Sequence, residues 1–232
     1  LPFWVECSLY ASMPLFHIHT FLALSIMLGF WFLISDWSVQ KQLLLLVGGA
    51  LIPATFFVWL TTDHFRAGSM ISWHPGWCST NPDFAAGSPG FWLINFGIFL
   101  PLAILFIAFC VWRAAKQHGR AFLRDPVLAF VFPAAAIFIF ACLLRTAVWD
   151  WDNIKLIIWA YLILLPFLWR EFIALWPIPI RVGSCFALFG SGFVSLFGGL
   201  ATGKEGYCFA ERRGVAASGV DLRRDPGGGG SG

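Results

Sequence analysis

The most polar short stretch of the chain is Trp149-Asp150-Trp151-Asp152-Asn153-Ile154-Lys155, which lies between two long apolar runs. Only 12% of the residues are charged, so this concentration of charged groups and one amide is unusual. A charged side chain inside hydrocarbon costs roughly 2.5–3.5 kcal/mol, which places such groups at a membrane boundary or beside a wet cavity. The two Trp rings favour the boundary, because indole has an apolar body and one N–H donor. We predict that Asp150, Asp152, Asn153 and Lys155 form the floor of a cavity at the membrane surface.

Two kinds of chemistry fit the carboxylates Asp150 and Asp152. Paired carboxylates can act as a base and an electrostatic anchor, or they can hold a divalent cation that bridges phosphates. The alternative is structural: they pair with Arg145 and Lys155 and begin a helix, with Asp152 or Asn153 as its N-cap. The sequence alone leaves both interpretations open.

A second group of candidates lies in the longest polar segment, 61–90, which contains His64, Arg66 and His74. Arginine suits bidentate contact with phosphate and His64 could transfer a proton, although such residues also occur at ordinary membrane interfaces. The aromatic residues near these groups are Trp73, Trp77, Trp149 and Trp151. Their rings could stack on sugars or form an aromatic belt. We predict that this segment covers the cavity at 149–155.

The composition indicates an integral membrane protein. With 232 residues, 59% of them hydrophobic and 18% aromatic, and a mean hydropathy of +0.78, the chain is too apolar for a soluble domain of its size. The net charge of +3 gives no reason to expect nucleic-acid binding. Six apolar runs are long enough to cross hydrocarbon as helices: 15–35, 42–60, 91–112, 127–145, 154–176 and 181–201. We therefore predict an all-α, polytopic protein with about six transmembrane helices.

Alternate loops of such a protein lie on opposite faces. One face collects seven basic residues: Lys41, Arg113, Lys116, Arg120, Arg124, Arg170 and Arg181. We call it the basic face, and the positive-inside rule predicts that it is cytoplasmic. The other face, which we call the loop face, carries segments 61–90 and 145–155. We predict one transmembrane domain over 1–205, a piece of a longer one, and a flexible tail over 206–232.

Histidines and cysteines do not predict a metal site. His17 and His19 are two residues apart and would point to different sides of a helix. The six cysteines form no CxxC pair, and only Cys7, Cys78 and Cys208 could share a compartment for a disulfide. We predict interfacial, hydrogen-bonded histidines and no metal ligands.

Four stretches together resemble a known type of enzyme: PLFHIHTF, DHFRAGSMISWHPGW, GSPGFWLINFGIFLPL and WDWDNIKLIIWAYLILLPFLW. They resemble, over about 14–205, the later part of bacterial GT-C membrane glycosyltransferases that depend on dolichyl- or polyprenyl-phosphate sugars, such as mannosyltransferases. The resemblance implies a multi-pass protein of the bacterial inner membrane whose partners are the lipid bilayer and a polyprenyl-phosphate sugar. It also implies sugar transfer from the lipid-phosphate donor on the outer face, near the candidate residues above.

One departure from that family concerns the catalytic residue. The family places an acidic motif in its first external loop, whereas the predicted first external segment, 1–14, offers only Glu6. Catalytic residues therefore remain unknown, and the chain is predicted to be an incomplete transferase. The alternative is a non-enzymatic membrane protein, a scaffold subunit or a transporter. Transport is less favoured, because we find no mid-span charge and no internal repeat.

Overall fold

The computed structural model describes residues 1–66, 71–80, 87–147 and 150–201. In these residues it contains eight α-helices: α1 (Phe3–Phe16), α2 (Ile18–Ile34), α3 (Trp37–Thr61), α4 (Gly87–Phe96), α5 (Phe99–His118), α6 (Leu128–Leu143), α7 (Ile154–Glu171) and α8 (Ile178–Ala201). Two short strands, β1 (Ser72–Trp73) and β2 (Leu144–Arg145), form a single antiparallel pair. The predicted all-α class is confirmed, and the predicted tail 206–232 lies outside the described residues.

Helices follow the apolar runs because a backbone in hydrocarbon must satisfy its hydrogen bonds internally. Three helical segments are long and apolar enough to cross a membrane: Trp37–Thr61, Phe99–Arg124 and Ile154–Leu175. Three apolar helices are shorter: Ile18–Ile34, Leu128–Leu143 and Ile178–Gly190. These six coincide with the six predicted runs, except that the run 91–112 is interrupted between α4 and α5. The interruption is at Gly97, whose φ of +52° is a conformation that residues with a side chain rarely adopt.

The segment predicted as an external stretch, 1–14, is instead helical. Helix α1 packs along the middle of α3 and also contacts α2. Close approach depends on small side chains: Gly49 lies where a Cβ would come within 3.3 Å of Cys7 Sγ. Tyr10 on α1 packs beside Ala50 and bonds its hydroxyl to Ser25 Oγ at 2.9 Å. Small residues at a helix interface are typical of membrane proteins, and this packing was missed because a segment of 14 residues is too short to be predicted as a membrane span.

Helices α6 and α7 form the centre of the fold, with α2 and α5 packed against them. Leu128, Ile137, Leu156 and Leu168 are fully buried there. Across this packing, Trp31 on α2 donates from its indole N–H to the backbone oxygen of Ala129 at 2.8 Å. The α6–α7 pair therefore fixes the positions of both the loop face and the basic face.

Ion pairs join the loops of the basic face. Arg124 Nη1 lies 3.1 Å from Asp36 Oδ1, and Arg113 Nη1 lies 2.7 Å from Glu171 Oε2. These pairs bring together the ends of α2, α5 and α7. The three loops that carry the seven basic residues therefore lie together, and the prediction that they share one face is confirmed.

The strand pair joins the loop face. Ser72 pairs with Arg145 and Trp73 pairs with Leu144, so the segment after α3 is hydrogen-bonded to the segment after α6. The prediction that segments 61–90 and 145–155 lie on the same side is thereby confirmed.

The chain divides into two compact units, 1–188 and 189–232. Helix α8 begins in the first unit, where Leu188 is buried, and its helical backbone is described to Ala201 in the second.

Candidate functional site

Asn153 is the centre of the polar stretch, and its amide is used within the fold. Its side chain is 1% exposed, and its Oδ1 accepts hydrogen bonds from Thr146 N at 3.2 Å and Thr146 Oγ1 at 2.7 Å. Its Nδ2 donates to the backbone oxygens of Ala141, at 2.9 Å, and Leu144. These carbonyls belong to the end of α6, where helical partners are missing. Asn153 therefore caps α6 from the start of α7, and the predicted contact with substrate stays a prediction that this geometry does not favour.

His74 contributes to the same junction through its backbone. His74 N donates to Leu143 O at 2.8 Å, and Gly76 N donates to Cys142 O at 2.9 Å. The long segment thus supplies two more donors to the last turn of α6. His74 and Asn153, which the sequence analysis treated as candidates from separate segments, are brought to the same helix end.

Asp152 and Lys155 form an ion pair one turn apart, with 3.2 Å between Asp152 Oδ1 and Lys155 Nζ. The Lys155 side chain is 43% exposed and that of Asp152 is 25% exposed. Part of the structural alternative is therefore observed, because Lys155 does pair with a carboxylate. The side chain of Asp150 lies outside the described part, although its backbone begins the 3₁₀-helix Asp150–Asn153.

His17 acts as the N-cap of α2. Its Nδ1 accepts from Thr20 N at 3.2 Å and bonds Thr20 Oγ1 at 2.9 Å. Thr20 Oγ1 in turn accepts from Trp159 Nε1 on α7 at 3.0 Å. Because Nδ1 accepts a backbone N–H, it carries no proton in this arrangement, and the Thr20 hydroxyl donates to it. The predicted hydrogen-bonded histidine is thus confirmed for His17, and the chain of bonds ties α2 to α7.

His19 lies next to His17 near the start of α2. Its ring centroid is 5.5 Å from that of His17, and the charges of Lys155 and Asp152 act on its imidazole. The residue is 8% exposed, and its buried Nε2 finds no hydrogen-bond partner in the part of the chain that the structure describes. A buried polar atom without a partner is costly, by about 1–3 kcal/mol. We define the His19 cluster as His17, His19, Thr20, Asp152, Lys155 and Trp159.

His64 and Arg66 lie on a different element, the turn that ends α3. Asp63, His64 and Phe65 have φ values of +48°, +59° and +66°, and His64 N donates to Trp59 O at 2.8 Å. His64 Nδ1 and Arg66 Nη1 both approach Asp63, at 3.2 and 3.5 Å. Consecutive left-handed residues other than glycine are strained, and strain of this kind is concentrated at functional or capping positions. Here the turn closes the end of α3 and leaves the side chains of His64 and Arg66 exposed.

The aromatic candidates separate by burial. Trp77 is 5% exposed and packs edge-on against Phe91, with ring centroids 5.5 Å apart. Its ring belongs to the core between the long segment and α4 and cannot stack on a sugar without rearrangement. Trp73 is exposed, while Trp149 and the side chain of Trp151 lie outside the described residues.

An apolar groove of about 460 Å³ is lined by residues of α4, α5, α6 and α7. Small residues leave this space: Ala103, Ala134, Ala135 and Ala160. Ala160 lies on α7 next to Trp159 but turned by about 100° around the helix. The groove is therefore a separate feature from the His19 cluster.

Sequence reasoning missed the joining of the HIH stretch to the polar stretch at 149–155. The only available signal was that both lie where a predicted span meets the loop face.

Among the described residues, no three His, Cys, Asp or Glu side chains are grouped so that they could hold a metal ion. The divalent cation suggested by the paired aspartates thus remains a prediction without support from this geometry.

Comparison with protein-family models, with curated proteins and with solved structures finds no match to this chain, so the resemblance to GT-C glycosyltransferases rests on the four motifs alone.

Proposed function

We propose that this chain is the multi-pass membrane part of a glycosyltransferase of the bacterial inner membrane. In this proposal it has six membrane spans, uses a polyprenyl-phosphate sugar as donor, and binds the donor phosphate at the His19 cluster on the outer face. The observation that carries the proposal is the buried Nε2 of His19, which has no hydrogen-bond partner among the described residues and belongs to an imidazole on which the charge of Lys155 acts. A buried polar atom without a protein partner, in a largely apolar protein, indicates a ligand that forms a hydrogen bond with that atom.

The electrostatics of the cluster favour an anionic group. Helices α2 and α7 both begin here, at Ile18 and Ile154, and the amino ends of helices attract negative charge. Lys155 supplies an ammonium group that can donate to a phosphate oxygen, and Asp152 holds it in place from one turn away. In this proposal the cluster lies at the headgroup level of the membrane, which is the depth at which lipid phosphates lie.

Each residue has a distinct role in the proposal. His19 donates an N–H from Nε2 to a phosphate oxygen, and Lys155 balances its charge. The relay from Trp159 through Thr20 to His17 keeps the start of α2 in position. Asp152 positions Lys155, and in the proposal its carboxylate takes the proton from the acceptor hydroxyl, which is the role that inversion at the sugar requires.

The replacement His19→Leu tests the proposal. Because Nε2 has no hydrogen-bond partner within the described residues, an apolar side chain of similar size should leave the melting temperature unchanged or raise it. Binding of polyprenyl-phosphate mannose, measured with the full chain in nanodiscs, should weaken at least tenfold. His17→Leu is the matched control: it removes the N-cap of α2 and should lower stability by about 1 kcal/mol.

A variant His19→Leu that melts several degrees lower and binds the donor as tightly as the parent would overturn this assignment. It would show that the imidazole serves the fold. The second arm is Lys155→Gln, which should weaken donor binding with little change in melting, since a partly exposed pair contributes about 0.2–1 kcal/mol.

A second candidate function is a non-enzymatic scaffold subunit. The observation in its favour is that the amide of Asn153 is used entirely within the fold. In that case the nanodisc measurement would find no binding of lipid phosphate by the unaltered chain.

A further inference from the structure

The basic face carries a pattern that the proposed function does not use. At the start of α3, Lys41 Nζ lies 5.2 Å from the ring centre of Trp37. At the end of α5, Lys116 Nζ lies 4.7 Å from the ring centre of Trp112. Both indoles are more than half exposed; Trp37 is the first residue of α3, and Trp112 lies in the last two turns of α5. A Trp ring favours the headgroup level, so each pair places an ammonium group among lipid phosphates.

The chain between α5 and α6 extends this surface. Gly119, with φ of +53°, ends α5 and turns the backbone into the 3₁₀-helix Gly119–Arg124. Arg120 and Leu123 are both exposed in this segment. An exposed leucine beside an exposed arginine at a membrane boundary suits a segment that lies in the interface, with the apolar side chain toward hydrocarbon and the guanidinium toward headgroups.

Carboxylates on this face are already engaged. Asp36 pairs with Arg124, and Glu171 pairs with Arg113 and with Arg170 Nε at 2.8 Å. Asp125 is buried and accepts from Val127 N at 2.8 Å and Leu128 N at 3.3 Å, so it caps α6. Within the part of the chain that the structure describes, no ion pair involves Lys41, Lys116 or Arg120.

The Asp36–Arg124 pair joins the two halves of the pattern. Asp36 directly precedes α3 and Arg124 ends the 3₁₀-helix, and their side chains meet at 3.1 Å. The uncompensated cations of α3 and of the α5–α6 connection are therefore held on one continuous surface.

We infer that Lys41, Lys116 and Arg120, with Trp37 and Trp112 as anchors, form a binding surface for anionic phospholipid headgroups of the surrounding bilayer. Charge complementarity selects this occupant, because the surface has unmatched cations, lies at headgroup level and adjoins hydrocarbon. The surface is on the face opposite the His19 cluster and does not depend on sugar transfer. Attraction of three cations to an anionic membrane corresponds to about a hundredfold preference over a neutral one at low salt.

The test uses the full chain in nanodiscs of phosphatidylcholine with or without 30% phosphatidylglycerol, taken as roughly the anionic content at which polybasic segments respond. Native mass spectrometry measures which lipid remains bound as detergent is added. The unaltered chain should retain phosphatidylglycerol preferentially at low salt and lose the preference at high salt. In the triple variant Lys41→Gln/Lys116→Gln/Arg120→Gln, the preference for phosphatidylglycerol should fall at least tenfold.

The matched control is Lys41→Arg/Lys116→Arg/Arg120→Lys, which changes the same three residues without changing the net charge of the face. It should keep the preference. A triple variant with the full preference would overturn the inference, as would salt-independent retention by the unaltered chain. Complete displacement of the lipid by inorganic phosphate would also overturn it, since the site would then recognise the free ion.

Discussion

Replacing Asn153 by alanine tests whether its amide is a structural cap. The side chain is fully buried and makes four hydrogen bonds, two to Thr146 and one each to Ala141 O and Leu144 O. A buried hydrogen bond contributes about 1 kcal/mol net, and a buried group left without its partner costs about 1–3 kcal/mol. Four bonds would sum to about 4 kcal/mol, and water entering beside the half-buried Thr146 reduces this to about 3 kcal/mol.

The expected change in melting is large enough to measure. For a chain of this length, 3 kcal/mol corresponds to a fall of about 6–12 °C in the melting temperature. Circular dichroism of the purified chain in detergent would follow the loss of helix. Asn153→Asp should melt at or below Asn153→Ala, because a carboxylate oxygen would replace the Nδ2 that faces two backbone carbonyls.

The control is Thr146→Val, which removes one side-chain bond to Asn153 Oδ1 and keeps the backbone N–H. It should cost about 1 kcal/mol, and less than that in a chain that already carries Asn153→Ala. If Asn153→Ala and Asn153→Asp both melt within a degree or two of the parent, the capping role is refuted and the amide becomes available for a ligand.

Gly97→Ala should destabilise by about 1–2 kcal/mol, because Gly97 has φ of +52° and the new Cβ would lie 3.1 Å from a backbone oxygen of α8. Gly29→Ala, in the interior of α2 where nothing lies within 4 Å, should be neutral or stabilising in the same thermal melt, and the opposite order would contradict the backbone argument. Arg113→Gln should cost about 1–3 kcal/mol in denaturant unfolding, since it leaves a half-buried carboxylate of α7 without its closest partner. In intact membranes, His74→Cys and Lys116→Cys should react with impermeant thiol reagents from opposite sides, and labelling of both from one side would disprove the arrangement of the loops.

The apolar runs determined where the helices form. In hydrocarbon every backbone group must find its partner within the helix, so a run of about 20 apolar residues predicts a helix whatever surrounds it. This reasoning located α2, α3 and α5–α8 and the sharing of faces by their loops. It missed α1, because a 14-residue helix is too short to cross a membrane and is stable here through packing on α3.

The roles of individual polar residues depended on the tertiary structure. Asn153 could equally have faced a ligand, and only the position of the end of α6 shows that its partners are backbone carbonyls 9 and 12 residues away. His19 and Lys155 lie far apart in the chain, and the packing of α2 on α7 allows the charge of Lys155 to act on the His19 imidazole. Helices that are apolar on all sides carry no stripe that identifies their neighbours, so the sequence pattern determines the spans but not which spans meet. Contacts between polar side chains at the helix ends follow from that choice of neighbours, which is why the polar stretch was identified from the sequence and the His19 cluster only from the fold.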